Sequence, residues 1–216
     1  MAHLKRLLSD IKEWSMGTSH LCKVDKTMQK LIKGIDYHEL FKLSENYHRG
    51  NPYESLVIAI ISQQISDSAA DSIIRRLKSL FDGRLPSPGR LLKTNGKRLR
   101  SAGISPQKLL YLRDLCKRIK NGSLELKKMN KLENEDIIGE LDAVKGIGRW
   151  TAEMFLISNL GRLDVLPADD LGIRKAIKKA YGLRNLPERK SIEKISGDWA
   201  PYRTIAAIYL WRSLRK

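Results

Sequence analysis

Val144-Lys145-Gly146-Ile147-Gly148 joins two stretches of helical periodicity, Asn134 to Leu141 and Arg149 to Asn159. Two glycines two residues apart, flanking one apolar residue, permit a tight turn with positive φ and leave backbone N–H groups unobstructed. At the start of a helix such a turn is an anion cradle, because its amides point at a phosphate and the helix dipole adds partial positive charge. Ile147 is expected to plug the two helices together, and Lys145 to place a point charge beside the phosphate. The same spacing also fits an ordinary glycine-containing connector between helices, so the partner class has to come from the rest of the chain.

The charge balance supplies it. Among 216 residues there are 41 Lys and Arg against 24 Asp and Glu, a formal net charge of +17. A surplus of that size points to nucleic acid first and to an anionic membrane surface second. Hydrophobic residues make up 42% and charged residues 30%, the balance of a soluble globular chain. The longest apolar run, Leu56 to Ile61, is far shorter than the roughly 20 residues a membrane span needs. Ser9 and Asp10 interrupt the apolar stretch around Leu4, Leu7 and Leu8, so no secretory signal is read there. Cys22 and Cys116 are too few for a disulfide scaffold, a four-cysteine zinc site or a four-cysteine iron–sulfur cluster. The expected compartment is intracellular, with no membrane partner.

Helical periodicity continues in both directions. Leu4, Leu7, Leu8, Ile11 and Trp14 form one apolar stripe and Met28, Leu31, Ile32 and Ile35 a second. Pro52 and Ser55 mark the start of a segment carrying Leu56, Ile60 and Ile61. The pattern runs on through Ala69, Ile73, Ile74, Leu77 and Phe81 to a stop at Asp82-Gly83. Ser105-Pro106 opens a helix that Asn121-Gly122 closes, and further helices are read over Leu171 to Tyr181 and Pro201 to Leu214. No stretch alternates long enough to be a strand, so the fold class is all-α. Residues 83–103 and 182–198, rich in Gly, Pro and charge, read as ordered punctuation between two helical lobes with a groove between them. The expected organisation is N-terminal helices over 1–50 packing on the body, a helical core over 51–182 with the helix–hairpin–helix at about 134–159, and C-terminal helices over 183–216 completing the second lobe.

The segment from Leu141 to Ala152, Leu-Asp-Ala-Val-Lys-Gly-Ile-Gly-Arg-Trp-Thr-Ala, resembles the helix-hairpin-helix of the DNA glycosylase superfamily that carries an aspartate after the hairpin. The likeness continues through Asp164-Val165-Leu166-Pro167-Ala168-Asp169-Asp170, where the aspartate pair is similar to the alkylation-repair, 3-methyladenine branch. It extends back to Ile61-Ser62-Gln63-Gln64-Ile65-Ser66 and forward to Trp199-Ala200-Pro201-Tyr202-Arg203. The resemblance implies a two-lobed helix-hairpin-helix DNA glycosylase fold with its active-site cleft between the lobes. It implies a monomer acting on double-stranded DNA with a damaged base, in the cytoplasm or nucleoid of a prokaryote, or in a nucleus. No cofactor and no catalytic metal are expected.

It also implies roles for individual residues. Cutting a base from deoxyribose passes through a cation-like sugar, which one ionised carboxylate can stabilise while orienting a water. The match maps that carboxylate to Asp170, with Asp169 as a cap or supporting group. Asp170 opens the stretch Leu171-Gly172-Ile173-Arg174, where the helix dipole favours its charged form; taken alone, the pair also reads as a plain N-cap. The base must be flipped out of the duplex, and the plug for the hole maps to the turn Gln63-Gln64-Ile65-Ser66, with Gln64 first and Ile65 or Ser66 as alternatives. Trp150 stands where the bifunctional branch has a lysine nucleophile, which implies hydrolysis without strand cleavage. Its indole face suits a cationic alkylated purine. Tyr202 and Met154 complete the expected pocket, while Val144 to Arg149 and Thr151 are expected at the DNA backbone. The carbonyls of Val144 and Gly146 could hold a monovalent cation, as in relatives.

The remaining tryptophans, Trp14, Trp199 and Trp211, read as core aromatics. None of His3, His20, His38 and His48 falls in a matched motif, so these read as surface or helix-end residues. Lys97-Arg98-Leu99-Arg100, Arg174-Lys175, Lys178-Lys179 and the run from Arg212 to Lys216 are candidate phosphate contacts. Two other readings stand beside the first: a glycosylase for oxidised or mismatched bases, and a non-enzymatic helix-hairpin-helix module that only grips DNA.

Overall fold

The computed structural model describes residues 2–35 and 50–214, with side chains from residue 12 onward. Three of the four histidines, His3, His38 and His48, and the stripe from Leu4 to Ile11 lie outside the described side chains. The chain begins with helices α1 (Ala2–Val24) and α2 (Lys26–Lys33). Seven helices follow: α3 (Pro52–Ser62), α4 (Asp67–Ser79), α5 (Pro88–Lys93), α6 (Gly96–Ser101), α7 (Pro106–Lys120), α8 (Asn134–Asp142) and α9 (Arg149–Ser158). The last three are α10 (Leu171–Ala180), α11 (Arg189–Ile195) and α12 (Arg203–Arg212), and no strand occurs among the described residues. No described helix is long and apolar enough to cross a membrane.

Two compact units emerge: residues 49–160 form one, and residues 1–48 together with 161–216 form the other. The boundaries expected near residues 50 and 182 differ from this in the second position, and the first and last parts of the chain fall into one unit. The stretches read as punctuation lie inside the units. Residues 83–103 fold into α5 and α6, because Leu91 and Leu99, both fully buried, anchor two short helices in the core of the 49–160 unit.

In the 49–160 unit α3 is the central helix. Asn51 caps it by accepting from the Tyr53 N–H at 3.0 Å, one residue earlier than the start signal at Pro52 suggests, and Pro52 occupies the first turn. Leu56, Val57, Ile60 and Ile61 are all fully buried, so this helix is apolar on more than one face. Ser105 caps α7 through the Lys108 N–H at 3.2 Å. Asp82 and Gly83 at φ +58° and +78°, and Gly122 at +80°, supply the left-handed residues that end α4 and α7.

In the other unit α12 plays the central part. Every residue from Thr204 to Leu210 is buried, and α1 lies so close that a Cβ on Gly17 would sit 2.3 Å from Cδ1 of Ile205. Asp25 ties the unit together. Its Oδ1 caps α2 by accepting from the Thr27 and Met28 N–H groups at 2.8 and 3.0 Å. Its Oδ2 accepts from the indole N–H of buried Trp199 at 2.9 Å and from the hydroxyl of Tyr181. Burial alone would raise the Asp25 pKa, but these donors outweigh it and hold the carboxyl below its ordinary range.

Candidate functional site

The expected hairpin forms: α8 ends at Asp142, residues 143–148 turn, and α9 begins at Arg149. Gly146 has φ +81°, and a Cβ there would fall 2.1 Å from Cδ2 of Tyr111, so the ring of α7 closes directly over the turn. Val144 and Ile147 are 1% and 2% exposed and plug the turn into the core, as expected for Ile147. Gly148 caps α9 without a side-chain hydrogen bond, and a Cβ built on it meets nothing within 4 Å. Among the described residues, nothing accepts from the N–H groups of Gly146 or Gly148. An open face with unengaged amides at a helix N-terminus is what a phosphate requires.

Two neighbours brace the turn, and spacing gave no sign of either. The carboxylate of Asp114 on α7 accepts from the Lys145 N–H and from Arg118 Nε, each at 3.0 Å. Burial pushes the Asp114 pKa up, but these bonds outweigh it and the carboxyl stays below its ordinary value. The second brace is Gln63, whose Nε2 donates to the Gly146 carbonyl at 2.7 Å across 83 residues of sequence. It joins the 63–66 turn to the hairpin, so two predicted DNA-contacting segments are neighbours within one unit.

That turn is itself unusual. Gln64 is exposed with φ +58°, a region that non-glycine residues rarely occupy. Ile65 beside it is 37% exposed. Ser66 differs: its hydroxyl caps α4 by accepting from the Ala69 N–H at 3.3 Å.

The candidate cation carbonyls are both engaged, that of Val144 by the Ile147 N–H at 3.0 Å and that of Gly146 by Gln63. Arg149 faces Glu135 and Glu153 and forms ion pairs with both, fastening α9 to α8. Thr151 is 8% exposed, so its side chain is not presented at the surface. Trp150 is the opposite case: 47% exposed, with partly buried Met154 one turn later on the same helical face. An indole left at the surface is not serving as a core residue.

Asp170 belongs to the other unit, where residues 161–170 form a loop stitched to α12. Arg203 clasps Asp164 with two bonds of 2.6 and 2.7 Å, Thr204 Oγ1 accepts from the Val165 N–H at 3.0 Å, and the Thr204 N–H donates to the Leu163 carbonyl at 2.9 Å. This clamp fixes the residue that opens α10. Asp170 Oδ1 accepts from the Ile173 N–H and from the indole Nε1–H of Trp211, each at 2.9 Å. Trp211 is therefore not simply a core aromatic, because its polar edge reaches the carboxylate. Asp169 is exposed and pairs with Arg189. Tyr202 packs on the core at the start of α12, with its ring centroid 5.4 Å from that of His20. His20 in turn bonds the Asp198 carbonyl at 2.9 Å, so it is a partner of Tyr202 rather than a plain surface residue. Of the basic candidates, Arg174 Nε donates to the Pro187 carbonyl at 2.9 Å, and Arg98 lies over the Phe81 ring at 5.9 Å from its centroid.

The chain is similar to known proteins over most of its length. DNA-3-methyladenine glycosylase 1 of Schizosaccharomyces pombe is 35% identical over 196 residues, covering 90% of this chain and 85% of that one. The alkylbase DNA glycosidase-like protein mag2 of the same organism is 32% identical over 208 residues, 95% and 96% of the two chains. The solved structure of the S. pombe 3-methyladenine DNA glycosylase Mag1 in complex with abasic DNA superposes with a TM-score of 0.74 at 34% identity, covering 91% of this chain and 95% of that one. A family profile matches residues 57–201, spanning the hairpin, Asp170 and the 63–66 turn. The chain belongs to the HhH-GPD superfamily of base excision DNA repair proteins.

Proposed function

We propose that the chain is a monofunctional DNA glycosylase that removes alkylated purines such as 3-methyladenine by hydrolysing the N-glycosidic bond, opening base excision repair. The observation that carries this reading is Asp170, a carboxylate at a helix N-terminus whose Oδ1 is held by a backbone and an indole N–H. Departure of the base leaves positive charge on the sugar, and a carboxylate oriented before the reaction stabilises that charge without reorganising. The same group can orient the attacking water. An alkylated purine is already a good leaving group, so no general acid for the base is required.

The hairpin does the gripping. Open amides at Gly146 and Gly148, with the positive end of the α9 dipole, take a backbone phosphate. Gln64 and Ile65, exposed on a turn that Gln63 fastens to the hairpin, fill the gap left by the flipped nucleotide. Trp150 offers its indole face to the cationic base, a contact worth about 0.5–2 kcal/mol. Tryptophan cannot form a Schiff base, so the strand stays intact. An enzyme of duplex DNA works where the DNA is held, in a nucleoid or a nucleus.

Incubation with methylated duplex DNA should release 3-methyladenine and leave abasic sites that break only on later alkali treatment. Borohydride should trap no protein–DNA adduct. A trapped adduct, or strand cleavage without alkali, would replace hydrolysis with a lysine nucleophile.

A further inference from the structure

Trp211 and Asp170 lie 41 residues apart, yet the indole Nε1–H reaches Oδ1 of the carboxylate at 2.9 Å, the same oxygen that accepts from the Ile173 N–H at 2.9 Å. An N-cap needs only the backbone donor. With that donor alone a carboxylate can rotate and exchange its oxygens. A second donor arriving from another helix fixes which oxygen faces the helix start. Donors to a charged acceptor are also the stronger class of hydrogen bond.

The approach of the indole depends on Gly172. A Cβ at that position would lie 2.9 Å from Asp170 Oδ1, 3.1 Å from Trp211 Cδ1 and 3.3 Å from Trp211 Nε1. Two of the three contacts are with the rigid indole ring, and the third is with the capping oxygen itself. The glycine therefore provides room at the second position of α10. Trp211 itself sits where α12 leaves the core: the residues from Thr204 to Leu210 are buried, and Trp211 is only partly so.

We propose that Trp211 is a positioning residue that sets the rotation of the Asp170 carboxylate for glycosidic-bond hydrolysis, with Gly172 as the clearance that lets its indole N–H arrive. The role rests on Asp170 being the working carboxylate. It requires that loss of the indole N–H slows the chemical step while DNA binding stays as it was.

Trp211→Phe keeps an aromatic ring and removes the donor, and Gly172→Ala keeps the donor and pushes it away. Under single-turnover conditions on methylated duplex DNA, each variant should release base on the order of ten- to hundredfold more slowly, the rate equivalent of one hydrogen bond to a charged group. Affinity for duplex DNA carrying an abasic-site analogue should stay within about twofold. The double variant should be no slower than the slower single one, since both changes break the same contact. In the intact protein labelled with 15N-tryptophan, the indole resonance lost in Trp211→Phe should move on Asp170→Asn. Undiminished release by Trp211→Phe, additive losses in the double variant, or an indole resonance indifferent to Asp170→Asn would each overturn the role. Should Trp211→Phe fail to fold, Gly172→Ala and the indole resonance decide. Wild-type protein that releases no base would overturn the glycosylase reading, and the indole resonance would still report on the contact by itself.

Discussion

A methyl group at residue 146 would lie 2.1 Å from a Tyr111 ring carbon on a backbone at φ +81°, whereas one at residue 148 would meet nothing within 4 Å. The two glycines of the hairpin are thus separable by experiment. Gly146→Ala should destabilise the protein by about 1–3 kcal/mol or more, because both the backbone and the Tyr111 contact resist it. Gly148→Ala should cost less, roughly the 0.5–1 kcal/mol by which alanine is the poorer N-cap, but should weaken DNA binding by placing a methyl on the face open to the phosphate. Thermal melts and DNA titrations of the pair check this; equal stability would mean that the Tyr111 contact does not constrain the turn. Trp150 makes a second residue-level case. Trp150→Ala should lower excision of cationic alkylated purines roughly two- to thirtyfold, matching a cation–π contact of about 0.5–2 kcal/mol, with little loss of abasic-DNA affinity. An equal loss on an uncharged substrate base would point to stacking area instead of charge.

At the scale of elements, much was readable because it is local. Caps and stops such as Ser105-Pro106, Asn121-Gly122 and Asp82-Gly83 are two-residue signals, and each falls at the helix end it announced. The hairpin was readable for the same reason. Its braces were not: Gln63 reaches Gly146 across 83 residues and Asp114 reaches the Lys145 N–H across 31, and no periodicity encodes contacts made only after the helices pack. The ion pair that Arg149 makes with Glu135 likewise carries no signal in the spacing. Asp114 offers the test of such a brace. Its folded-state pKa is depressed, so the stability it contributes is present above the ordinary carboxylate value near 3.8 and disappears as pH falls through its lower folded value. Asp114→Asn should therefore lower the melting temperature at pH 7 and narrow its gap from wild type towards pH 3. A gap that persists unchanged at pH 3 would show that the carboxylate charge is not what holds the Lys145 N–H.

For the molecule as a whole, the formal charge of +17 carries the partner class, and family membership carries the reaction. What the sequence could not disclose was that residues 1–48 associate with residues 161–216, since packing between distant helices decides which segments share a core. DNA affinity should fall steeply with salt. If about four phosphates are neutralised, binding weakens roughly hundredfold between 50 and 200 mM salt, and a titration independent of salt would contradict a phosphate grip. The most direct test of the central claim is base release by Asp170→Asn on methylated duplex DNA. The variant should bind abasic-analogue DNA as wild type does and release essentially no 3-methyladenine; release at the wild-type rate would remove Asp170 from the chemistry.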